Sequence, residues 1–143
     1  MISCHHDTAV VILSYNGTKW HELFLPLIVA EAHTGYDVVV ADNASTDNTL
    51  QYVQEHFPTV KTLRIEENHG FANGYYEALR KIDAKYYILL SADFEVTEGW
   101  FAPLHRAMEA RPDMAACQPK IRYYRERDKF EYAGAGGGFM DKY

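Results

Sequence analysis

Thr8–Gly17 reads TAVVILSYNG, and the way that stretch divides decides the fold. Thr8–Ser14 is apolar and β-branched up to its closing serine, with no polar alternation, the mark of a strand covered on both faces. Ser14-Tyr15-Asn16-Gly17 then breaks the run with turn-forming residues. Tyr36–Ala41 (YDVVVA) and Tyr86–Leu90 (YYILL) have the same doubly covered character. Val60–Ile65 (VKTLRI) alternates and reads as a less buried strand, and Met114–Gln118 is a fifth candidate.

Helical spacing fills the gaps between these strands. Lys19–His33 carries Trp20, Leu23, Phe24, Leu27 and Ile28 along one helix, which Pro26 either kinks or divides into two. Ser45 or Thr46 caps a helix through Leu50, Val53 and Phe57, stopped by Pro58. Phe71–Ile82 offers Tyr75, Ala78, Leu79 and Ile82, and Thr97 caps a fourth helix that ends at Arg111-Pro112. Strand and helix in alternation predict an α/β fold, a Rossmann-like domain whose mostly parallel central sheet is flanked by helices.

Composition bounds the rest. The chain has 143 residues, 48% of them hydrophobic, enough for one packed domain over residues 8–143 preceded by a disordered lead at residues 1–7. Fourteen basic against twenty acidic side chains give a net charge of −6, which argues against a nucleic-acid partner bound through phosphate neutralisation. No apolar run approaches the roughly 18–20 residues of a transmembrane segment, and the first residues lack a secretory signal's basic and apolar regions. Cys4 and Cys117 make neither a metal spacing nor a disulfide framework, which fits a reducing, cytoplasmic location. Ala133–Gly138 (AGAGGG) is flexible by composition.

In open α/β sheets ligands bind beyond the carboxyl ends of the strands. There the sequence delivers Ser14-Tyr15-Asn16-Gly17, Asp42-Asn43-Ala44-Ser45, Glu66-Glu67-Asn68-His69-Gly70 and Ser91-Ala92-Asp93-Phe94-Glu95. Each has an ordinary alternative: Asp42–Ser45 as turn and helix cap, Tyr15 as a loop aromatic, Asp93 and Glu95 as solvated acids. Together they exceed what turn chemistry needs. The glycine fingerprint of dinucleotide folds, the P-loop and the serine-hydrolase elbow are all missing. An aromatic ring, a carboxylate for a base N–H and a separate metal-binding acid suit a nucleoside diphosphate. The ring stacks on the base, Asp42 accepts from it, and Mg²⁺ or Mn²⁺ bridges Asp93 to the diphosphate. The ion answers a charge problem, since an acid about 4 Å from a phosphate charge is repelled by about 4 kcal/mol at an effective dielectric near 20.

Four segments, VVILSYNG (Val10–Gly17), VVVADNASTDNT (Val38–Thr49), ENHGFANG (Glu67–Gly74) and LLSADFEV (Leu89–Val96), resemble glycosyltransferase family 2, the nucleotide-sugar transferases of GT-A fold, in order and spacing. The segments Arg111–Ile121 and Glu131–Asp141 look like bacterial members, which make polysaccharides. The resemblance implies that Tyr15 packs on the donor base, with Ser14 and Asn16 lining the same turn. Asp42, followed by Asn43 and Ser45, then reads uracil or thymine through N3–H, so that the donor is UDP- or dTDP-linked. Asn68, Gly70 and Phe71 run along the nucleoside, and Asp93 holds the metal, with Glu95 as a second acid or a bystander. Ala92 stands where many relatives carry a carboxylate, so that a ribose contact is either lost or moved to Ser91.

The family's inverting chemistry uses an acidic general base that deprotonates an acceptor hydroxyl. No residue of this chain matches that base, which is expected beyond Tyr143. The expectations are therefore an inverting transfer to an acceptor glycan or lipid-linked sugar, at or near the inner face of the cytoplasmic membrane. The alternative is a non-catalytic nucleotide-sugar-binding module. The basic run Lys120, Arg122, Arg125, Arg127 and Lys129, interleaved with Tyr123 and Tyr124, reads as an exposed amphipathic strand pair or as a diphosphate or lipid-phosphate contact.

Overall fold

The structure, a computed structural model, describes residues 1–132; the glycine-rich segment Ala133–Gly138 lies outside them. The described residues fall into two compact units, one from Met1 to Glu98 and one that begins at Gly99.

The first unit contains β1 (Ile2–Ser3), β2 (Thr8–Ser14), α1 (Thr18–Ala30), β3 (Tyr36–Asn43), α2 (Thr49–His56), β4 (Lys61–Ile65), α3 (Gly70–Leu79), β5 (Ile82–Asp83) and β6 (Tyr86–Ser91). Four strands form a parallel sheet in the order β4-β3-β2-β6, with Thr8 opposite both Tyr36 and Tyr86. Ala9, Val11, Val39, Ala41 and Ile65 project to one face and pack with Tyr75 and Ala78 of α3 and with Ile82. Alternation sends Val10, Ile12, Val38 and Val40 to the other face, and all four are buried. Phe24, Leu25, Ile28 and Val53 are the buried apolar positions of α1 and α2. The chain winds β2-β3-β4 in one direction and then returns to place β6 on the other side of β2. Such a reversal opens a crevice at the carboxyl ends of β2 and β6.

Several local expectations are corrected. Residues 1–7 are not disordered: Ile2 and Ser3 pair in parallel with Ile82 and Asp83. Asp37 Oδ2 accepts the backbone N–H of both His5 and His6, at 2.8 Å each, so the lead is held by charge-assisted bonds. Pro26 neither kinks α1 into two helices nor ends it. Pro26 and Glu22, whose carbonyl loses its helical partner, both lie on the exposed face, where water replaces the bond. Ile82 leaves the third helix to join β5. β6 is not covered on both faces like β2: among the described residues it is the last strand of its sheet, with Tyr87 38% and Leu89 52% exposed.

The second unit contains α4 (Phe101–Ala110), β7 (Ile121–Arg122) and β8 (Phe130–Tyr132). Trp100, not Thr97, precedes the first turn of α4. Met114–Gln118 forms no strand, because Pro112 and Pro119 bracket it and deny ladder donors. The basic run instead lies across an antiparallel pair, β7 with β8, in which Lys120 and Arg122 sit over the Phe130 ring.

Candidate functional site

The loops that follow β2 and β3 are stitched into one body. Asn16 donates its N–H to Ser45 Oγ at 2.9 Å, and its Oδ1 accepts the N–H groups of Thr46 (2.9 Å) and Asp47 (3.3 Å). Gly17 N–H donates to buried Thr49 Oγ1 at 2.9 Å. Ser45 and Thr46 therefore do not cap α2. Their side chains are committed to Asn16 in the loop after β2, and Asp47 Oδ1 takes the Thr49 N–H instead. Burial works to raise the Asp47 carboxyl, but its bonds from Thr49 and Thr18 outweigh this and hold it below the ordinary carboxylate range. Asn16 adopts φ 50° to reach these partners, a conformation asparagine tolerates better than most residues.

Behind this turn lies a buried pair. His21 Nε2 is 2.9 Å from Ser14 Oγ, and His21 is 1% exposed. Desolvation pushes its pKa down to about 4, against a small opposing pull from Asp47, so the ring is neutral at pH 7. A Cβ on Gly17 would come within 2.3 Å of Ser14 Oγ. Only glycine lets the chain pass the serine that supports Tyr15, whose own ring is 52% exposed.

Asp42, the last residue but one of β3, is fully buried. Ala44, at φ 61°, folds the chain back so that Ser45 N–H donates to Asp42 Oδ2 at 3.1 Å; a left-handed alanine costs about 1–2 kcal/mol. Arg64, opposite Asp42 in the β3–β4 register, brings Nη1 to 3.3 Å from the same oxygen. Asp42 Oδ1 has neither partner nor solvent. A buried carboxylate oxygen left unpaired is costly, and the arrangement favours any ligand that supplies an N–H there.

The next residue, Asn43, turns to the opposite face. Its Nδ2 donates to Asn68 Oδ1 at 3.0 Å and to the Gly70 carbonyl at 3.1 Å, while its Oδ1 accepts the His69 N–H at 3.3 Å. Asn43 thus fastens the loop before α3, and Gly74 allows this closeness, since a Cβ there would meet Leu13 Cδ2 at 2.9 Å and Asn43 Nδ2 at 3.1 Å. A cleft of about 250 Å³ opens beside it, lined by Leu13, Ser14, Tyr15, Asn43, Asn68, Gly70 and Phe71. Tyr15 and Phe71 are both largely exposed, as rings awaiting a flat partner would be.

Of the residues singled out from sequence, the cleft gathers Ser14, Tyr15, Asn43, Asn68, Gly70 and Phe71. Asn16, Asp42 and Ser45 line no part of it: Asn16 and Ser45 bond to each other between the β2 and β3 loops, and Asp42 lies on the other face of β3 from Asn43. Ser91, Ala92, Asp93 and Glu95 line no part of the cleft. They enter from the adjacent strand, where Ser91 pairs with Leu13 and starts the turn through Ala92 and Asp93. Tyr75 steadies that end of β6 by donating its hydroxyl to the Leu90 carbonyl at 3.0 Å, and burial pushes its pKa up to about 12.

No group of three or more His, Cys, Asp or Glu side chains forms a metal cage among the described residues. Asp93 is exposed and Glu95 half-buried on one short segment, a donor set suited to an ion that takes its other ligands from a phosphate. Sequence reasoning missed Arg64, His21, Thr49 and Tyr75. Only Tyr75 carried a signal, as an aromatic at a helical core spacing.

A family model described as Glycosyl transferase family 2 matches residues 9–137. An uncharacterized glycosyltransferase of Bacillus subtilis, YfnE, is 32% identical over 113 residues, covering 76% of this chain and 29% of that protein. A teichoic acid poly(glycerol phosphate) polymerase of Staphylococcus epidermidis is 20% identical over 138 residues, covering 83% and 19%. Among solved structures, S. aureus TarS 1–349 in complex with UDP-GlcNAc superposes with TM-score 0.64 at 19% identity, over 85% of this chain and 42% of that one. The Pyrobaculum calidifontis mannosyltransferase PcManGT, solved with GDP-Man and Mn²⁺, gives TM-score 0.55 at 25% identity, over 82% and 34%. The chain spans 19% to 35% of the length of the curated relatives it matches. No helix among the described residues is long and apolar enough to cross a membrane.

Proposed function

The chain belongs to glycosyl transferase family 2, and on that premise we propose that it binds the nucleotide-sugar donor of an inverting transfer to an acceptor hydroxyl. The observation that carries this reading is the cleft at the carboxyl ends of β2 and β3, walled by the exposed rings of Tyr15 and Phe71 with Asn43, Asn68 and Gly70 in its lining. A pyrimidine or purine ring stacks in that cleft, and Asp42, buried with Oδ1 unpartnered at the same end of β3, is the acid assigned to the base. Asn68 and Gly70 follow the nucleoside, Asn16 and Ser45 hold the two loops rigid, and Asn43 both fastens the loop before α3 and faces the donor from the cleft lining. Ser91 and Ala92 border the ribose.

The carboxylate that would hold Mg²⁺ or Mn²⁺ is Asp93, with Glu95 next on the same segment. When bound, the ion neutralises charge on the departing nucleoside diphosphate. PcManGT, solved with GDP-Man and Mn²⁺, supports that assignment by its likeness of fold. The UDP-GlcNAc of TarS and the teichoic and teichuronic acid relatives support a sugar nucleotide as donor and a bacterial cell-surface glycan or lipid-linked sugar as acceptor. Such an acceptor places the work at the inner face of the cytoplasmic membrane.

The test is calorimetric titration of the 143-residue chain with UDP, with and without Mn²⁺, for the native sequence, Asp93→Ala and Asp42→Ala. Expected are metal-dependent binding, loss of the metal dependence in Asp93→Ala, and about tenfold or greater weakening in Asp42→Ala. Binding indifferent to metal and to both substitutions would sink the proposal. A second reading, a module that binds donor without turnover, rests on the absence of a matching general base from the described residues. Slow hydrolysis of a bound UDP-sugar by this chain would count against it.

A further inference from the structure

The β7–β8 pair lines no part of the donor cleft, and its surface differs in kind from the rest of the chain. Residues 120–131 carry five basic side chains against three acidic, in a chain whose net charge is −6. All ten residues from Arg122 to Glu131 are exposed. A stretch exposed at every position has no face packed on a core, so it stands out from its unit. Among these residues are Tyr124, 56% exposed, and Phe130, 46% exposed. Each ring has a cation beside it. The antiparallel register sets Arg122 opposite Phe130, and Arg122 Cζ and Lys120 Nζ lie 5.8 and 5.6 Å from the centre of that ring. Arg127 Cζ lies 5.5 Å from the centre of Tyr124. The loop between the strands is held in shape by its backbone. Tyr123 N–H donates to the Lys129 carbonyl at 3.1 Å, Lys129 N–H to the Glu126 carbonyl at 2.9 Å, and Arg122 Nη1 to the Arg127 carbonyl at 3.3 Å.

An exposed ring beside a cation suits a boundary where apolar matter meets anionic oxygen. Aromatic side chains settle at the headgroup level of a bilayer, with the ring among the upper acyl carbons and a tyrosine hydroxyl in water. Lysine and arginine at that level meet lipid phosphates, and each raises partitioning onto an anionic surface about fivefold. We propose that the β7–β8 hairpin is a peripheral membrane contact for an anionic phospholipid bilayer. Tyr124 and Phe130 enter the headgroup layer, while Arg122, Arg125 and Arg127 meet its phosphates. Lys129 is paired with Glu126, so the attraction rests chiefly on the arginines. A two-stranded pair this short is marginal in water by itself, and an interface that takes up its rings stabilises it. The rings also argue against RNA as the partner. A base stacks on an open ring face, whereas Phe130 and Tyr124 hold the chain's own cations against theirs. This contact goes beyond the donor-site reading and does not depend on it.

The experiment is co-sedimentation of the 143-residue chain with vesicles of phosphatidylglycerol or of phosphatidylcholine, at low and at high salt. The native chain should bind phosphatidylglycerol about tenfold or more tightly than phosphatidylcholine. Arg125→Gln with Arg127→Gln should weaken that binding about 20-fold at low salt and much less at high salt, where surface charge is screened. Tyr124→Ser, in the loop and outside both strands, should weaken it about fivefold at either salt. Thermal unfolding of each variant serves as the check on folding, since all three residues are exposed. Absence of binding to either vesicle, equal binding to both, or binding that neither variant weakens overturns the proposal. So does an RNA oligonucleotide that binds the chain more tightly than the vesicles and displaces it from them. UDP titration reads the donor cleft separately, so absent vesicle binding with UDP binding intact overturns the membrane contact alone.

Discussion

Acidification should loosen this protein through His21 before it touches any carboxylate. The imidazole is buried against Ser14 Oγ, and its pKa falls from 6.5 to about 4 on folding. The unfolded chain therefore binds a proton that the folded chain refuses, so stability rises with pH across that window and falls as pH is lowered through it. Two and a half units of separation correspond to about 3 kcal/mol when integrated to pH 4, of which about 2 kcal/mol is gone by pH 5. Above pH 7 both states are neutral and the histidine has no effect. Urea unfolding at half-unit steps from pH 7.5 to 4.5, on the native chain and on His21→Gln, isolates the contribution. Gln is polar and does not titrate, so the two stability curves should converge as pH falls and differ in slope mainly between pH 6.5 and 4.5. Asp37 and Asp47, both held below the ordinary carboxylate range, act only under that window. Parallel curves for the two proteins would show that the ring accepts a proton in place, and would refute the desolvation argument.

Gly74→Ala sets two effects against each other. A helix interior gains about 1 kcal/mol from the change, but the new methyl would meet Leu13 and Asn43 at 2.9 and 3.1 Å, and overpacking costs about 1–3 kcal/mol. The expected net is a loss of about 1 kcal/mol in urea unfolding, with faster amide exchange over residues 68–70; a gain would show that Leu13 and Asn43 yield freely. Asp37→Asn should free the N-terminal lead, because the carboxylate takes the His5 and His6 N–H groups together with Lys61 Nζ. Burial alone would raise the Asp37 carboxyl, yet these partners hold it low, so the native clasp should persist at neutral pH and open only as pH falls below about 4. Limited proteolysis at pH 7 should cut residues 1–7 of the variant much faster than the native chain. Equal rates would mean that the Ile2–Ser3 pairing suffices.

The legible parts of this fold are those whose cause is local. Thr8–Ser14 reads as a doubly covered strand because every side chain before its closing serine is apolar or β-branched, and it is one. Tyr86–Leu90 has the same composition but lies at the end of its sheet, and strand order is a property of the whole chain. Ser45 and Thr46 look like caps, and lose that task to hydrogen bonds with Asn16, thirty residues away. The strand-end residues could be named because a parallel sheet dictates where they gather. The contribution of Arg64 could not, since a single arginine in an alternating strand carries no mark of the carboxylate opposite it.

The last strand of the sheet has a consequence for how this chain behaves in solution. β6, YYILLS, carries no charge and no proline, and one flank of its backbone meets no further strand among the described residues. Such a flank, with an exposed leucine beside it, is a template for another extended segment, from elsewhere in the chain or from a partner. Natural edges are blunted by lysine, proline or a bulge, and here the nearest charges stand outside the strand, at Lys85 and Asp93. Whatever segment pairs with β6 therefore also borders the turn from which Asp93 emerges, so that completing the sheet and shaping the surroundings of that carboxylate are one event.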